Sequence, residues 1–290
     1  MRSRSASLRR ARPLLGTLVE VAAAGPTARL PAATDAAFEA IATVGRLMSY
    51  HDPASELSRL NREAAQRPVA VSAPTRAVLE AALRLAAASA GAFDPCVAPA
   101  LVRLGFLPGA ADARAAAGWR AIELLPGSRV RFHAPLALDL GGIAKGYAVD
   151  AACAALEREG VRDYLVNAGG DLRIGAGVRD VHVRHPAEPR RLVPFGRLAG
   201  AALATSARYF ATDESGAHPI IEPASGRPAA YAGSISVLAP SCLLADALTK
   251  VVAVQGGRAA AVLAAHGARA WRLGEDGRFA PVLAPGARAA

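Results

Sequence analysis

The sequence predicts an α+β fold, and three observations carry that expectation. Helix and strand signals are interleaved without the regular alternation of a doubly wound parallel sheet. The helical stretches place apolar residues three and four positions apart, on one face. The strand stretches are short, and two of them run straight into Gly-Gly turns. At 290 residues the chain holds one large domain or two small ones, and neither an internal repeat nor a clean linker divides it.

Taken in order, the N-terminus is Arg-rich and then apolar. Alternation over 14–22 reads as a first strand rather than a signal peptide, because Glu20 interrupts a very short apolar run. A helix is expected over 34–50, with Ala37, Ile41, Val44 and Met48 on one side. Asp52-Pro53 and Ser55 open a short helix, and an alanine-rich helix over 75–89 stops at Gly91. Strands are expected at 121–125, 130–132 and 136–140, followed by a helix over 147–159 that Gly160 ends. Further strands fall at 164–166, 172–176, 181–184, 197–204 and 234–238, and helices at 245–255 and 258–266.

Composition narrows the class. Hydrophobic residues make up 52% and charged residues 20%, enough apolar material for a sizeable core. The net charge is +10, but the arginines are scattered and aromatics are only 5%, so no basic stripe with stacking side chains points to nucleic acid. Such a field still attracts anionic small molecules. Cys96, Cys153 and Cys242 are far apart and odd in number, which argues against a disulfide framework or a zinc site. No apolar run approaches the roughly 20 residues of a membrane span. The compartment expected is the cytoplasm, or the periplasm if the true start lies upstream. Lys145 and Lys250 are the only lysines in an Arg-dominated chain, so each marks a place where arginine would not serve.

Five stretches have the residue types of a site. The first, over 138–150, takes an apolar strand into Gly141-Gly142, then Lys145, then a helix. Bare glycine backbone, a helix N-terminus and an ammonium suit a phosphorylated ligand, and Asp139 adds a carboxylate. The spacing is neither that of a Walker A loop nor G-x-G-x-x-G. In the second, Gly91-Ala92-Phe93-Asp94-Pro95, Phe93 can pack on a flat ligand and Asp94 can accept from it; the alternative is a helix cap and an Asp-Pro turn. The third, Asn167-Ala168-Gly169-Gly170-Asp171, is a second Gly-Gly turn that can meet a ligand backbone-first or be a plain β-turn. The fourth joins hydroxyl residues within 203–209 to the proline-rich loop 218–228, whose alternative is a surface hairpin. In the fifth, Asp246, Thr249 and Lys250 share a helix face. They form either a hard-oxygen site suited to Mg²⁺ or an i,i+4 ion pair on a solvated face.

These stretches, in this order, resemble the ApbE-like FAD:protein FMN transferases. The motifs are GAFDP, DLGGIAKGYAVD, NAGGD, ATS and SxSVxAPSxxxADAL, together with Met48-Ser49-Tyr50 and the Ser55–Asn61 segment. The resemblance implies a single domain of mixed or antiparallel sheets flanked by helices, over 13–280, between a basic tail at 1–12 and a C-terminal tail at 281–290. It implies transfer of the FMN half of FAD to a Ser or Thr hydroxyl of an acceptor flavoprotein, with Mg²⁺ assisting and AMP released. By position, Leu15, Tyr50, Ala92, Phe93, Asp94, Asp139, Lys145 and Ile221 would touch FAD. Gly142, through its carbonyl, would hold the metal with Asp246 and the two residues three and four further on, Thr249 and Lys250. Two positions depart from the family pattern. Lys250 stands where the family has threonine, so its ammonium is an alternative occupant of the metal position. Pro219 stands where the family has histidine, which leaves His218, Glu222 or another carboxylate as the base. These departures keep two alternatives open, a protein that binds FAD without transferring it and a hydrolase that releases FMN and AMP.

Overall fold

A computed structural model describes residues 5–109, 117–208 and 218–284. Its strands are β1 (Ser5–Leu14), β2 (Thr17–Pro26), β3 (Val69–Ala70), β4 (Ile122–Leu125), β5 (Arg129–Phe132), β6 (Asp163–Ala168), β7 (Asp171–Ile174), β8 (Arg179–Arg184), β9 (Leu192–Leu198), β10 (Ala202–Ala207), β11 (Ile221–Glu222), β12 (Arg227–Pro228), β13 (Ser234–Ala239), β14 (Arg269–Leu273) and β15 (Phe279–Pro281). Its helices are α1 (Leu30–Met48), α2 (Glu56–Glu63), α3 (Ala73–Ala88), α4 (Ala98–Arg103), α5 (Ala144–Arg158), α6 (Cys242–Gln255) and α7 (Ala260–Ala265).

Eight strands form the main sheet in the order β1-β2-β6-β7-β10-β13-β14-β15, and every ladder among the described residues is antiparallel. The two-residue period of a strand then sorts side chains to two faces. Tyr164, Val166, Ala168, Ala202, Ala204, Ile235 and Val237 turn to a face covered by α1, α5 and α6. Leu172, Ile174, Leu203 and Leu273 turn to the other, where Val181, Val183, Val193 and Phe195 of the β8–β9 hairpin cover them. Asp171 and Arg173, alternating with Leu172 and Ile174 on β7, therefore face the helices. That parity places a charged group from the sheet under α5.

The α5–α6 contact is close because both helices lend side chains to each other's ends. Asp150 of α5 accepts from the Cys242 and Leu243 amides at the start of α6, at 3.0 and 2.9 Å. Asp246 of α6 accepts at 3.0 Å from the Gly146 amide in the first turn of α5. First-turn amides lack intrahelical partners, so each carboxylate satisfies donors that the fold would otherwise bury bare.

Several elements differ from the sequence expectation. The expected basic tail at 1–12 is, from Ser5, strand β1, joined to β2 by a tight turn at Leu15–Gly16 with both φ angles positive. Its arginines are spent locally. Arg9 pairs with Glu20, and Arg10 and Arg12 pair with Asp35 and lie over the Phe38 ring. Residues 136–140 are extended but have no neighbouring strand. The Asn61 carboxamide stands in for one, donating to the Leu138 carbonyl at 2.9 Å and accepting from the Leu138 amide at 2.8 Å. The single strand expected over 197–204 is two, β9 and β10, parted by a turn with Gly200 at φ +59°. Strand β15 runs to Pro281, inside the expected tail. Residues 285–290 of that tail, and Tyr209 of the fourth motif, lie outside the described residues. The stretch Cys242–Ala265 is long and apolar enough to cross a membrane by composition. Here Gly256 breaks it after α6, and α6 packs on α5, β10 and β13.

Candidate active site

The two lysines of the chain meet at one place. Lys145, in the first turn of α5, pairs with Asp171 at the start of β7. Lys250, on α6, pairs with Asp246 one turn earlier and also donates to the Asp246 carbonyl at 3.1 Å. The carboxylates of Asp171 and Asp246 are 3% and 0% exposed, whereas the two ammonium side chains are 31% and 20% exposed. The anions are thus held inside and the cations are presented outward, an arrangement that offers positive charge to a ligand.

Both ends of the Gly-Gly turn reach this cluster. A Cβ built on Gly142 would lie 3.6 Å from Lys250 Cε and 3.6 Å from Phe93 Cε2. The lysine stem and the phenyl ring thus both pack against the turn. Asp139 sits just before it, its amide bonded to the Pro95 carbonyl at 2.8 Å. Burial raises the Asp139 pKa, against the lowering pull of the Gly141 amide, His51 and Lys250. Burial likewise raises Asp171, and Asp246 adds to it, while Lys145 and Lys250 oppose. Burial works against the Lys145 ammonium, but Asp171 and Asp246 outweigh it and its pKa is raised. Lys145 stays charged throughout the physiological range.

The other expected ligand contacts are distributed around this cluster. Leu15 caps the β1–β2 turn and rests on α1, where a Cβ on Gly45 would lie 3.1 Å from its Cδ2. The neighbouring Thr17 backs the Gly169–Gly170 turn. Tyr50 is fixed through its carbonyl, which accepts from Ser58 Oγ at 3.4 Å, and burial, then Asp139, raises its hydroxyl pKa. Ala92 and Phe93 are buried at the end of α3. Asp94 spends its oxygens on the Cys96 amide (2.8 Å) and the Trp119 amide (3.3 Å), so its carboxylate shapes its own turn and ties it to the segment before β4. With Cys96, Val97, Arg103 and Ile221 it lines a cleft of about 240 Å³. On the other side of the β11–β12 ribbon, Ala92, Glu222, Gln255 and Arg258 line a second cleft of about 240 Å³. Neither lining includes Lys145 or Lys250.

The expectation that His218 is a base is not met by its geometry. The ring is buried. Nε2 bonds to the Ala229 carbonyl at 3.0 Å, and Nδ1 accepts from the Ile220 amide at 3.3 Å. With one nitrogen donating and the other accepting, neither is free for a substrate proton. Its role is to tie the loop before β11 to the chain after β12, stacked edge-on against Tyr231. Burial lowers its pKa below the ordinary 6.5, helped by Arg208 and opposed by the Ala229 carbonyl. The unfolded chain therefore takes up a proton that the folded chain refuses. The stability tied to His218 is present above pH 6.5 and is lost as pH falls below it. The expected result is a melting temperature that drops between pH 7 and 5 less steeply in a His218→Gln variant than in the parent, read by scanning fluorimetry. Glu222, the other candidate base, accepts from Ser225 Oγ at 2.6 Å and faces the second cleft.

The residues implied for Mg²⁺ are brought together, but they do not fit the ion. Asp246 Oδ1 holds the Lys250 ammonium, Oδ2 holds the Gly146 amide, and the carbonyl accepts from Thr249 Oγ1 (2.7 Å) and Lys250. Thr249 Oγ1 is also bonded to Ser206 Oγ at 2.7 Å. A divalent ion on Asp246 would have to share that carboxylate with the Lys250 ammonium, and two cations on one carboxylate repel each other. The Asp246–Lys250 pair is the i,i+4 ion pair of the alternative reading, except that Asp246 faces the protein interior.

Two contributors were not singled out from sequence. Asp171 was within a recognised motif, and only its parity on β7 turns it to Lys145. Asn61 closes the motif segment after Ser55, and only its pairing with Leu138 connects it to Asp139.

Comparison with known proteins adds the lineage. Residues 15–271 match the ApbE family. The chain is 31% identical over 230 residues to the FAD:protein FMN transferase of Vibrio cholerae, covering 72% of this chain and 69% of that one. It is 30% identical over 291 residues to the FAD:protein FMN transferase of Treponema pallidum, covering 88% and 80%. The crystal structure of the ApbE protein of Thermotoga maritima superposes with a TM-score of 0.85 at 25% identity, over 95% of this chain and 97% of that one. The flavin transferase ApbE of Vibrio cholerae superposes with 0.78 at 26% identity, over 97% and 98%. The chain belongs to the ApbE family.

Proposed function

We propose that this protein is an FAD:protein FMN transferase. A Ser or Thr hydroxyl oxygen of an acceptor protein attacks the flavin-side phosphorus of FAD. A new phosphoester forms, the pyrophosphate P–O bond breaks, and AMP leaves with the bridging oxygen. The observation that carries this reading is the convergence of Lys145 and Lys250 at the Gly141–Gly142 turn. Displacement at a pyrophosphate concentrates negative charge on the phosphate oxygens and the departing phosphate. Two fixed ammonium groups meet that charge at little reorganisation cost. FAD lies over this turn, with its ring systems toward Tyr50, Phe93 and the clefts beside β11.

The proton of the acceptor hydroxyl has a carboxylate to go to. Asp139 is at the turn, and its raised pKa makes it a stronger proton acceptor than an ordinary aspartate. The names of the relatives support the same chemistry. The test is to incubate the chain with FAD and an acceptor protein whose flavinylation-site Ser or Thr is unmodified. Flavin fluorescence that survives SDS on the acceptor, with AMP released one for one, is the expected result. Free FMN with AMP would instead make it a hydrolase, and FAD recovered intact would make it a binding protein; either outcome ends the transferase reading.

A further inference from the structure

We propose that Lys250 is the resident cation of this site, so that the chain handles the pyrophosphate without a divalent metal. The inference rests on reading the cluster as a pyrophosphate site, but its central test does not require the transfer reaction. Asp246 is the only protein partner of the Lys250 ammonium among the described contacts, through Oδ1 and the backbone carbonyl together. That is how a bound cation sits on a helix, except that this one is tethered by its own stem. The stem is in turn laid against Gly142, in ordinary packing contact with the turn.

The pairing points the same way. Lys250 sets a tethered cation on the buried Asp246 carboxyl, where a threonine would leave that carboxyl open to a divalent ion. A lysine there halves the added charge but fixes it at one per chain, independent of ion concentration, and adds N–H donors for phosphate oxygens. The second lysine leaves no second vacancy. Lys145 is committed to Asp171, and Thr249 to Ser206 and the Asp246 carbonyl.

The experiment titrates Mn²⁺ into the protein, with and without FAD, and follows free Mn²⁺ by electron paramagnetic resonance. In the parent chain no site tighter than about 1 mM is expected in either case. FAD affinity, from flavin fluorescence, should differ by less than roughly twofold between EDTA and Mg²⁺. Lys250→Thr should gain one Mn²⁺ site per chain, and its FAD affinity should become at least about tenfold stronger with Mg²⁺ than with EDTA. One tight Mn²⁺ per parent chain overturns the proposal, as does a folded Lys250→Thr variant that gains none. If the variant does not fold, the parent measurements still decide. Transfer that requires Mg²⁺ would sink this inference and leave the transferase reading standing. Absent transfer with the expected metal behaviour would do the reverse.

Discussion

Gly146→Ala is expected to cost this protein about 4 kcal/mol, the sum of an overpacked helix contact and a strained buried hydrogen bond. Helix propensity alone gives the opposite sign, since alanine is favoured over glycine in a helix interior by about 1 kcal/mol. The packing decides. A Cβ on Gly146 would lie 2.2 Å from the Cys242 carbonyl oxygen, 2.7 Å from its carbon and 2.8 Å from Asp246 Cβ. Two of those atoms are backbone and the third is at the root of a side chain, so none can swing away. Helices α5 and α6 must part. Their separation strains the Gly146 amide bond to Asp246 and the Asp150 bonds to the start of α6. For a domain of this size the melting temperature should fall by about 7 °C. The Asp246–Lys250 pair moves with α6, so FMN transfer should fall even where the variant remains folded. A Gly146→Ala protein that melts with the parent would show that α5 and α6 do not approach as described.

How much of this was legible in the sequence depends on whether the determinant was local. The Gly141–Gly142 turn and α5 could be read because an apolar run, two glycines and a helical period follow each other within 20 residues. The Asp246–Lys250 pair could be read because residues four apart on a helix share a face. Strand β1 could not, because its arginine-rich sequence lacks apolar alternation. It exists as an edge strand whose charges are answered by Glu20 and Asp35, and those partners belong to β2 and α1. The extended segment 136–140 looks like a strand for good reason, since its apolar side chains are buried. Only the Asn61 carboxamide, 77 positions before Leu138, explains why no ladder is needed. His218 shows the limit most directly. As a histidine near a ligand loop it was a fair candidate base, and nothing in its neighbourhood announced that Ile220 and Ala229 would occupy both nitrogens. Chemical types were local information; partners were topological.

The same distinction makes Lys145 the more revealing residue to remove. Lys145→Met keeps most of the stem but leaves Asp171, 3% exposed, without its cation. Breaking a buried pair from one side destabilises by on the order of 3 kcal/mol, because the remaining charge stays desolvated. The pH dependence carries the sign. In the parent, the raised Lys145 pKa means the ammonium contributes fully below its ordinary value of 10.5, so the contribution is flat between pH 5 and 8. In the variant, burial and Asp246 push Asp171 further above its ordinary 3.8 with only Lys250 left to oppose them. The folded state then binds a proton that the unfolded state has released, and stability improves as pH falls. The deficit of Lys145→Met should therefore be largest near pH 8 and shrink toward pH 5 in urea melts. Asp171→Asn in the same background removes the stranded charge and should restore a large part of it, a coupling of about 1–3 kcal/mol in the double-mutant cycle. Transfer should not follow stability. It should stay down by about a hundredfold in both backgrounds, because neither returns the ammonium to the phosphate. A deficit that does not change with pH would show that Asp171 is solvated rather than buried, and the cluster would lose the inside-anion, outside-cation polarity on which its chemistry depends.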